Sequence, residues 1–427
     1  MSTRKTHLIS PRPAGAVIPH MPAIDGLRGI AILLVLVHHF TPAVSGNAFT
    51  QRMLGMAHTG WIGVDLFFVL SGFLITAILL KTKHGPDYFL NFFARRTLRI
   101  FPIYYVVLTV LLLALPVMAG TPIIAKVVNT FFGNTVKDLP SMLEGQSWLW
   151  LYGGNIKIAL TGERWGAVNH FWSLAVEEHF YLIWPVVVFF CSRQGLVKVC
   201  GLCILGAPVL RAMLMLAGFD SVVPYVLTPC RVDSLAIGAL TAVLITQPAG
   251  LKTWLPRSAW MAGLAAVVLG ATIVSMGRLH RDDLLTTTLG YSMLAIISAF
   301  LVLAAASVKS GTLACRIVAN PVLSSLGKYS YGIYVTHMFF NELFIKFFPW
   351  TGLHQLLGSY PRAIVAHAVL SIGCSWLIAY VCFHAFEKHF LKLKALFDYR
   401  RPTPQPATVP VSRPALGLPV RAYRQAA

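Results

Sequence analysis

Long apolar runs, separated by short polar segments, recur along most of this chain. Ten of them are about 20 residues long, which is the length that an α-helix needs to cross the hydrocarbon core of a bilayer. The pattern therefore predicts an all-α, polytopic integral membrane protein with about ten transmembrane helices. The predicted spans are 24–45, 61–81, 100–119, 171–191, 197–217, 225–246, 259–276, 286–306, 328–348 and 362–386.

One further apolar run, 148–160, is weaker than the others. It contains Gly153, Gly154, Asn155 and Lys157. Polar and charged residues are costly in a helix that faces lipid. We therefore predict that this segment is re-entrant or lies at the membrane surface; if it crossed the membrane, the topology would be different.

The composition supports a membrane protein and excludes several soluble classes. Hydrophobic residues form 56% of the 427 residues, whereas charged residues form only 12%. That charged share is about half of what soluble domains contain. With this composition, a soluble protein of this size would lack the polar residues that are needed to cover a water-exposed surface. A cytosolic enzyme, a nucleic-acid-binding domain and a disordered chain are therefore excluded.

The basic residues that give the chain its net charge of +20 are unevenly distributed between the two sides of the membrane. With the N-terminus in the cytoplasm, 23 of the 35 Lys and Arg residues fall on the inner side, 8 on the outer side and 4 within spans. Basic residues are enriched in the cytoplasmic loops of membrane proteins. We therefore expect both termini in the cytoplasm, and we attribute the charge to topology in the lipid bilayer rather than to a nucleic-acid partner.

The ends of the chain differ in composition from the region between them. Residues 1–20 are polar and basic without the layout of a signal peptide, and we predict a cytoplasmic N-terminal segment. Residues 393–427 are rich in proline and basic residues, and we predict a disordered cytoplasmic tail. Residues 21–392 then form one transmembrane domain. Cys200 and Cys203 have metal-ligand spacing, but no second pair accompanies them, so we predict no metal site.

The first span contains the clearest candidate site. Arg28 and His39 are eleven residues apart, so they lie about 20° apart around a helix and about 16 Å apart along it. Ionised side chains near the bilayer centre cost about 2.5–3.5 kcal/mol on insertion scales, which makes them functional candidates. Asp25 lies one turn before Arg28 and can pair with it. The simpler alternative is a snorkelling arginine and a packed histidine.

Six segments resemble the sequence motifs of the membrane acyltransferase-3 family. The first is Asp25-Gly-Leu-Arg28 followed by His39, and His179 in a later segment stands where glutamine is common in the family. The segments occur in family order, and the resemblance covers about residues 22–390. They are 25–39, 63–75, 95–104, 171–185, 231–233 and 329–337.

This resemblance implies that an acyl group, usually acetyl, passes from cytosolic acyl-CoA to a hydroxyl of a carbohydrate or glycolipid acceptor. It also implies a multi-pass protein of a bacterial-type inner (cytoplasmic) membrane that needs no metal. A polytopic secondary transporter is the alternative, since transporters also retain buried charges within about ten helices. Transporters typically contain paired halves with broken helices, and the sequence contains no such repeat.

The resemblance places donor binding at the cytoplasmic end of the third span. Arg96, Arg99 and Tyr104 are expected to bind acyl-CoA there, and Arg28 is expected to reach the same donor from the first helix. Arginine suits phosphate because its guanidinium group forms bidentate, charge-assisted hydrogen bonds. The alternative is an ordinary cytoplasmic basic cluster, which we favour for the neighbouring Arg95.

Acyl transfer also requires a group that takes the proton from the acceptor hydroxyl. We expect His39 to be this general base, because imidazole accepts a proton near neutral pH. Histidine is also a competent nucleophile, so His39 could instead carry the acyl group as an acyl-imidazole. Glu177 or Glu178 is expected to orient the ring, as a carboxylate does in hydrolase triads. An ion pair between these acids and Arg231 is the structural alternative.

The two acids differ in their position around the fourth span. Glu177 shares a polar stripe with Ser173 and Tyr181, which lie four residues to either side. Glu178 points about 100° away from that stripe. We therefore prefer Glu177 as the partner of His39.

A third group of polar residues is expected to bind the acceptor. For Ser71 the alternative is close helix packing, since it precedes Gly72 and small residues let backbones approach. Arg231 and Asp233 do not face each other on one helix, so we expect their partners on other helices. His337 is equally well explained as a buried, hydrogen-bonded histidine. The full predicted group is Asp65, Ser71, Tyr181, Arg231, Asp233 and His337.

Overall fold

The computed structural model describes residues 21–42, 47–247, 249–276, 279–309 and 311–398. Within these ranges the chain forms helices and turns, and no strand occurs among them. The predicted N-terminal segment 1–20 lies outside the described residues, as does the predicted tail from residue 399 onward.

Twenty α-helices follow one another along the described chain. The first ten are α1 (Pro22–Phe40), α2 (Ala48–His58), α3 (Ile62–Thr82), α4 (Tyr88–Thr109), α5 (Leu115–Gly120), α6 (Pro122–Glu144), α7 (Gln146–Trp150), α8 (Gly154–Thr161), α9 (Phe171–Phe190) and α10 (Arg193–Leu216). The second ten are α11 (Val222–Val226), α12 (Thr228–Ile245), α13 (Gly250–Met276), α14 (Tyr291–Ser307), α15 (Leu313–Val318), α16 (Pro321–Thr336), α17 (Asn341–Phe347), α18 (Trp350–Leu357), α19 (Tyr360–Cys382) and α20 (Lys388–Lys392).

Nine helical stretches of the described chain are long and apolar enough to cross a membrane. Some of them join two helices through a short 3₁₀ or π-helical turn. This confirms the prediction of an all-α, polytopic membrane protein. The nine stretches are Pro22–Phe40, Ala48–Thr82, Tyr88–Gly120, Phe171–Phe190, Arg193–Leu216, Val222–Ile245, Gly250–Ser275, Thr286–Ser307 and Tyr360–Phe397.

The predicted ninth span, 328–348, is not one continuous helix. Its residues form the end of α16, a turn at 337–340 and then α17, and α16 has only 16 residues. The carboxylate of Glu342, in the first turn of α17, accepts hydrogen bonds from the backbone N–H groups of Asn134 and Thr135 at 2.9 and 2.8 Å. This contact holds the start of α17 against α6.

The weak apolar run 148–160 does not form a spanning helix. It lies in α7 and α8, which are joined by a turn at Tyr152 with a φ of 56°. The hydroxyl of Tyr104 in α4 donates to the Leu149 carbonyl oxygen at 2.7 Å, and its ring stacks on Tyr152 with 4.2 Å between centroids. Tyr104 thus holds this turn, and its contact with the donor stays a prediction.

Glycines bring α1 and α16 into backbone contact. A Cβ atom added to Gly29 would lie 2.0 Å from the Leu323 carbonyl oxygen, and one added to Gly327 would lie 1.8 Å from that of Asp25. Distances under 3.0 Å cannot be accommodated without moving the backbone. The two helices therefore approach closely enough for even short polar side chains to meet between them.

Close packing also joins α3 to α12, as the Ser71-Gly72 pair predicted. A Cβ atom at Gly72 would lie 2.0 Å from the Leu235 carbonyl oxygen, and one at Gly238 would lie 2.1 Å from that of Val69. Both contacts are with backbone atoms, so neither neighbour can rotate away.

Gly72→Ala is expected to destabilise the protein by about 1–3 kcal/mol or more, since the added methyl group must push the two helices apart. The thermal unfolding midpoint of the detergent-purified protein measures this loss. Gly206→Ala in α10 is the matched control, because a Cβ atom at Gly206 meets nothing within 4 Å. Equal midpoints for the two variants would contradict the packing described for Gly72.

Candidate active site

Helix α1 meets α16 through two polar contacts, one near each end of α1. The Arg28 Nη2 atom donates to Ser330 Oγ at 3.1 Å, and His39 Nδ1 lies 3.1 Å from His337 Nε2. The two predicted residues of the first span therefore face the same neighbouring helix, as their eleven-residue spacing requires. They lie about 16 Å apart along α1.

The hydrogen bonds of His337 determine which nitrogen of His39 carries a proton. His337 Nδ1 lies 2.8 Å from the Tyr334 carbonyl oxygen and 3.2 Å from that of Ile333. A carbonyl only accepts, so Nδ1 is the donor and Nε2 of the neutral ring is the acceptor. His39 Nδ1 must then donate to it. The remaining nitrogen, His39 Nε2, carries a lone pair, which is the state that a general base needs.

A third histidine, His170, completes a cluster that the sequence did not predict. Its ring centroid lies 4.7 Å from that of His337 and 6.4 Å from that of His39. Its carbonyl oxygen accepts a hydrogen bond from the Tyr334 hydroxyl at 3.1 Å. The only signal in the sequence is its place immediately before the 171–185 motif. We call His39, His170 and His337 the histidine cluster.

A group of cations lies at the other end of α1. The charges closest to Arg99 include those of Arg28 and Arg96 and the opposite charge of Glu387. Lys394, in the 3₁₀ turn that ends the stretch Tyr360–Phe397, lies close enough to Arg96 and Arg99 to interact with both electrostatically. We call Arg28, Arg96, Arg99 and Lys394 the cation cluster. Within the described residues no carboxylate is hydrogen-bonded to Arg96, Arg99 or Lys394, so the cluster is suited to binding an anion.

The polar stripe of α9 connects the cation cluster to the histidine cluster. At one end, Ser173 Oγ lies 2.5 Å from the hydroxyl of Tyr334 in α16, whose carbonyl binds His337. At the other end, the guanidinium group of Arg96 lies over the Tyr181 ring, 5.0 Å from its centroid. Ser173 and Tyr181 are eight residues, or about 12 Å, apart along the helix. The stripe thus covers about 12 Å, against the roughly 16 Å that separate Arg28 from His39 along α1.

A comparison with known families decides which class of protein carries this arrangement. The profile of a family described as an acyltransferase domain matches residues 21–380. This chain belongs to the acyltransferase-3 family. The match covers the cation cluster except Lys394, all of the histidine cluster and the α9 stripe.

The individual relatives of this chain described here are bacterial. OatA of Listeria monocytogenes, named a peptidoglycan O-acetyltransferase, is 28% identical over 387 residues, covering 86% of this chain and 55% of the relative. YrhL of Bacillus subtilis, provisionally given the same activity, is 28% identical over 378 residues, covering 86% and 54%. The chain thus spans about half the length of these relatives. No solved structure matches it at the threshold used for these comparisons.

The predicted carboxylate partner of His39 is replaced by His337. Glu177 Oε2 instead accepts a hydrogen bond from the Tyr181 hydroxyl at 2.8 Å, and that hydroxyl also contacts Ser71. The physical reason is the register of α9 against α16. Ser173, and not Glu177, lies at the level of Tyr334 and the histidine cluster, and Glu177 lies one turn closer to the cation cluster.

Glu178 lies off the stripe, as its position around α9 predicts. The nearest charges are those of Glu177 and Arg96. Both acids are therefore associated with the cationic end of the site, and among the described residues neither is hydrogen-bonded to His39.

Three of the predicted acceptor-binding residues form buried ion pairs instead. Arg231 Nη2 binds Asp65 Oδ1 at 2.6 Å, and Arg211 Nη2 binds Asp233 Oδ2 at 3.0 Å, with all four side chains fully buried. The expectation that Arg231 and Asp233 meet partners on other helices is confirmed. The alternative pairing of Arg231 with Glu177 or Glu178 is wrong. These pairs link α3, α10 and α12, and the role of these residues in acceptor binding stays a prediction.

The prediction of no metal site rests on the spacing of Cys200 and Cys203. Among the described residues, no group of three or more His, Cys, Asp or Glu side chains has an arrangement that could hold a metal ion. The histidine cluster itself is held together by the ring contact and the hydrogen bond given above, with the three rings tilted or edge-to-face.

Proposed function

We propose that this acyltransferase transfers an acyl group, with acetyl as the first candidate, from cytosolic acyl-CoA to a hydroxyl of a carbohydrate or glycoconjugate. The observation that carries this proposal is the polar stripe of α9 between the cation cluster and a histidine whose Nε2 atom bears a lone pair. An anionic carrier and a general base are the two requirements of such a transfer. A transporter would require the first but not the second.

The cation cluster supplies the donor site in this proposal. Coenzyme A carries phosphate groups at one end and its thioester at the end of a long flexible arm. Arg96 and Arg99 can bind phosphate oxygens through charge-assisted hydrogen bonds. Arg28 adds a further guanidinium group from α1. The arm would then follow the α9 stripe, past Tyr181 and Glu177, towards the histidine cluster.

His39 performs the chemical step in this proposal. The acceptor hydroxyl oxygen attacks the carbonyl carbon of the thioester, while His39 Nε2 takes the hydroxyl proton. The carbon–sulfur bond then breaks, and the leaving thiolate receives that proton from His39 to give the free thiol of CoA. An acyl-imidazole on His39 is the alternative route, and it would divide the same transfer into two steps.

His337 is a positioning residue in this mechanism. Its Nε2 atom accepts the hydrogen bond from His39 Nδ1 and so keeps Nε2 of His39 unprotonated before the reaction. The role is the one that a buried aspartate has in hydrolase triads, except that a neutral ring replaces the carboxylate. A neutral partner stabilises the imidazolium less strongly than an anion does, which favours rapid return of the proton to the thiolate.

The acceptor class is proposed from the relatives and the membrane location. The relative from Listeria is named for peptidoglycan, which is a carbohydrate polymer outside the cytoplasmic membrane. We propose that this chain is a multi-pass protein of a bacterial cytoplasmic membrane with both termini in the cytoplasm. The cation cluster would then face the cytosolic donor pool, and the histidine cluster would face the acceptor side.

The release of CoA by the purified protein tests this function. The protein, reconstituted in lipid nanodiscs, is given acetyl-CoA with and without soluble peptidoglycan fragments, and free thiol is measured. Thiol release that depends on the acceptor, with an acetyl group on the fragment by mass spectrometry, is the expected result. Accumulation of a solute in vesicles without thioester turnover would instead support the transporter.

Arg99→Ala is expected to raise the KM for acetyl-CoA by about ten- to a hundredfold, since hydrogen bonds to charged groups contribute about 1.5–3 kcal/mol. The value of kcat should change little, because Arg99 lies far from the reacting atoms. Arg193→Ala is the control, since Arg193 is an exposed cation whose contact is with Thr246. A KM for Arg99→Ala equal to that of the control would remove the cation cluster from donor binding.

A further inference from the structure

The end of the described chain folds back onto the helix that carries the arginines. Arg95 Nη1 donates to the Lys394 carbonyl oxygen at 2.8 Å and to that of Phe397 at 3.2 Å, and it pairs with Asp398 Oδ1 at 3.1 Å. One turn earlier on α4, Asn91 Nδ2 donates to the Asp398 carbonyl oxygen at 3.4 Å. The segment 393–398 is therefore attached to α4, although its sequence predicts the start of a disordered tail.

This attachment gives Arg95 and Lys394 different roles from their neighbours. Arg95 is engaged with backbone carbonyl groups and is not available to a ligand in the way that Arg96 and Arg99 are. The bonds to residue 394 involve only its backbone, so they fix where Lys394 lies without engaging its side chain, which is partly buried. That ammonium group is held near three guanidinium groups of α4.

Such an arrangement is unfavourable without a counter-ion. Like charges at close range repel, and partial burial increases the repulsion because the effective dielectric constant falls. Asp398 pairs with Arg95, and Glu387, Asp25 and Glu177 lie near Arg99 or Arg28, but within the described residues none of these acids is hydrogen-bonded to Arg96, Arg99 or Lys394. An anion bound among these cations would offset their mutual repulsion through charge-assisted hydrogen bonds.

We propose that the segment 393–398 is part of the donor site, with Lys394 binding a phosphate group of acyl-CoA and Arg95 holding the segment in place. This inference rests on the proposed function and adds a residue that lies beyond the family match, which ends at residue 380. Lys394 is a binding residue here, and Arg95 is a positioning residue that acts through it.

The KM for acetyl-CoA tests the role of Lys394. Lys394→Met is expected to raise it by about tenfold with kcat within about twofold, as expected for the loss of one charge-assisted contact in the ground and transition states. Lys394→Arg keeps the charge and should retain the KM of the wild type. Lys392→Met, two residues earlier at the end of α20 and with an exposed side chain, is the matched control. A KM unchanged by Lys394→Met would overturn the inference.

A double-mutant cycle tests the role of Arg95. Arg95→Met should raise the KM to about the same extent as Lys394→Met, and the two changes together should have little more effect than either one, because both remove the same contact. Fully additive effects would show that Arg95 does not act through Lys394. If Lys394→Met is poorly folded, the comparison of Lys394→Arg with Lys394→Gln replaces it.

Anionic lipid headgroups offer the same phosphate chemistry as the donor, so the assay is run in nanodiscs of zwitterionic lipid and again with anionic lipid. An effect of Lys394→Met that is present in zwitterionic lipid supports donor binding, whereas an effect confined to anionic lipid would assign Lys394 to the membrane and overturn the inference.

A wild type that releases CoA while Lys394→Met behaves normally leaves the proposed function intact. A wild type that never releases CoA would reject both.

Discussion

His39→Ala is expected to reduce acyl transfer by about 10²–10⁴-fold, which is the range that a positioned general base contributes. The variant loses the lone pair at Nε2 that would take the proton from the acceptor hydroxyl. Membrane insertion and the binding of acetyl-CoA should remain, because the cation cluster lies about 16 Å away along α1. Acceptor-dependent thiol release measures the first effect, and a binding titration with a non-hydrolysable CoA analogue measures the second.

Variants of His337 distinguish the role of His39 as the base from the role of His337 in orienting its ring. His337→Phe removes the acceptor for His39 Nδ1, so the His39 ring can carry its proton on either nitrogen, and we expect a smaller loss than in His39→Ala. His337→Gln keeps an acceptor oxygen and should recover part of the activity. The pH dependence of kcat should shift in His337→Phe, which would not follow from a purely structural role. His354→Ala, outside the histidine cluster, is the control, and near-normal transfer by His39→Ala would remove the proposed base.

Asp65→Ala is expected to destabilise the protein by about 3–5 kcal/mol, because it leaves the Arg231 guanidinium group buried without its partner. Arg231 is fully buried, and its guanidinium group lies 4.1 Å from the centroid of the Tyr291 ring and 5.4 Å from that of Tyr225. These rings can hold the cation in place, but they cannot neutralise it. The yield and the thermal midpoint of the detergent-purified protein measure this loss.

The double variant Asp65→Leu/Arg231→Met distinguishes an ion pair from a binding site. Replacement of both charges by apolar groups leaves no unpaired charge, so it should be much less destabilising than Asp65→Ala alone. If the two residues bound the acceptor, the double variant would instead be inactive with a raised acceptor KM, however stable it was. A stable Asp65→Ala protein with a raised acceptor KM would restore the role that the sequence predicted.

The positions of polar residues around single helices could be predicted from the sequence. The spacing of Arg28 and His39 fixes both on one face of α1, and the four-residue spacing of Ser173, Glu177 and Tyr181 fixes the stripe of α9. The close approach at Gly72 followed from the size of the residue. Each of these predictions depends only on helix geometry and on side-chain volume, which the sequence contains directly.

The partners of these residues across helices could not be predicted in the same way. Periodicity gives the face of a helix but not its axial register against a neighbour. A shift of one turn places Ser173 instead of Glu177 beside the histidine cluster, and it makes His337 the partner of His39. His170 was missed for a related reason, since it precedes α9 and belongs to no helical face.

Hydropathy also failed where apolar residues do not form a spanning helix. Phe339 and Phe340 keep the segment 328–348 apolar, although the chain turns there. For the segment 393–398 the error was the opposite one. Its basic composition predicts disorder, whereas the structure attaches it to α4 through a specific partner. That partner is Arg95, and no feature of the tail itself reveals it.

Arg28 and His39 lie on a single uninterrupted helix, and this has a consequence for the choice of donor. An α-helix is stiff along its axis, so α1 keeps the anion-binding group and the base at a fixed distance from each other. A carrier whose charged end is joined directly to its acyl group, such as an acyl phosphate, could contact only one of these two groups at a time. Deleting or inserting one helical turn between Arg28 and His39 would therefore change which carriers fit, in a way that no substitution of either residue could reproduce.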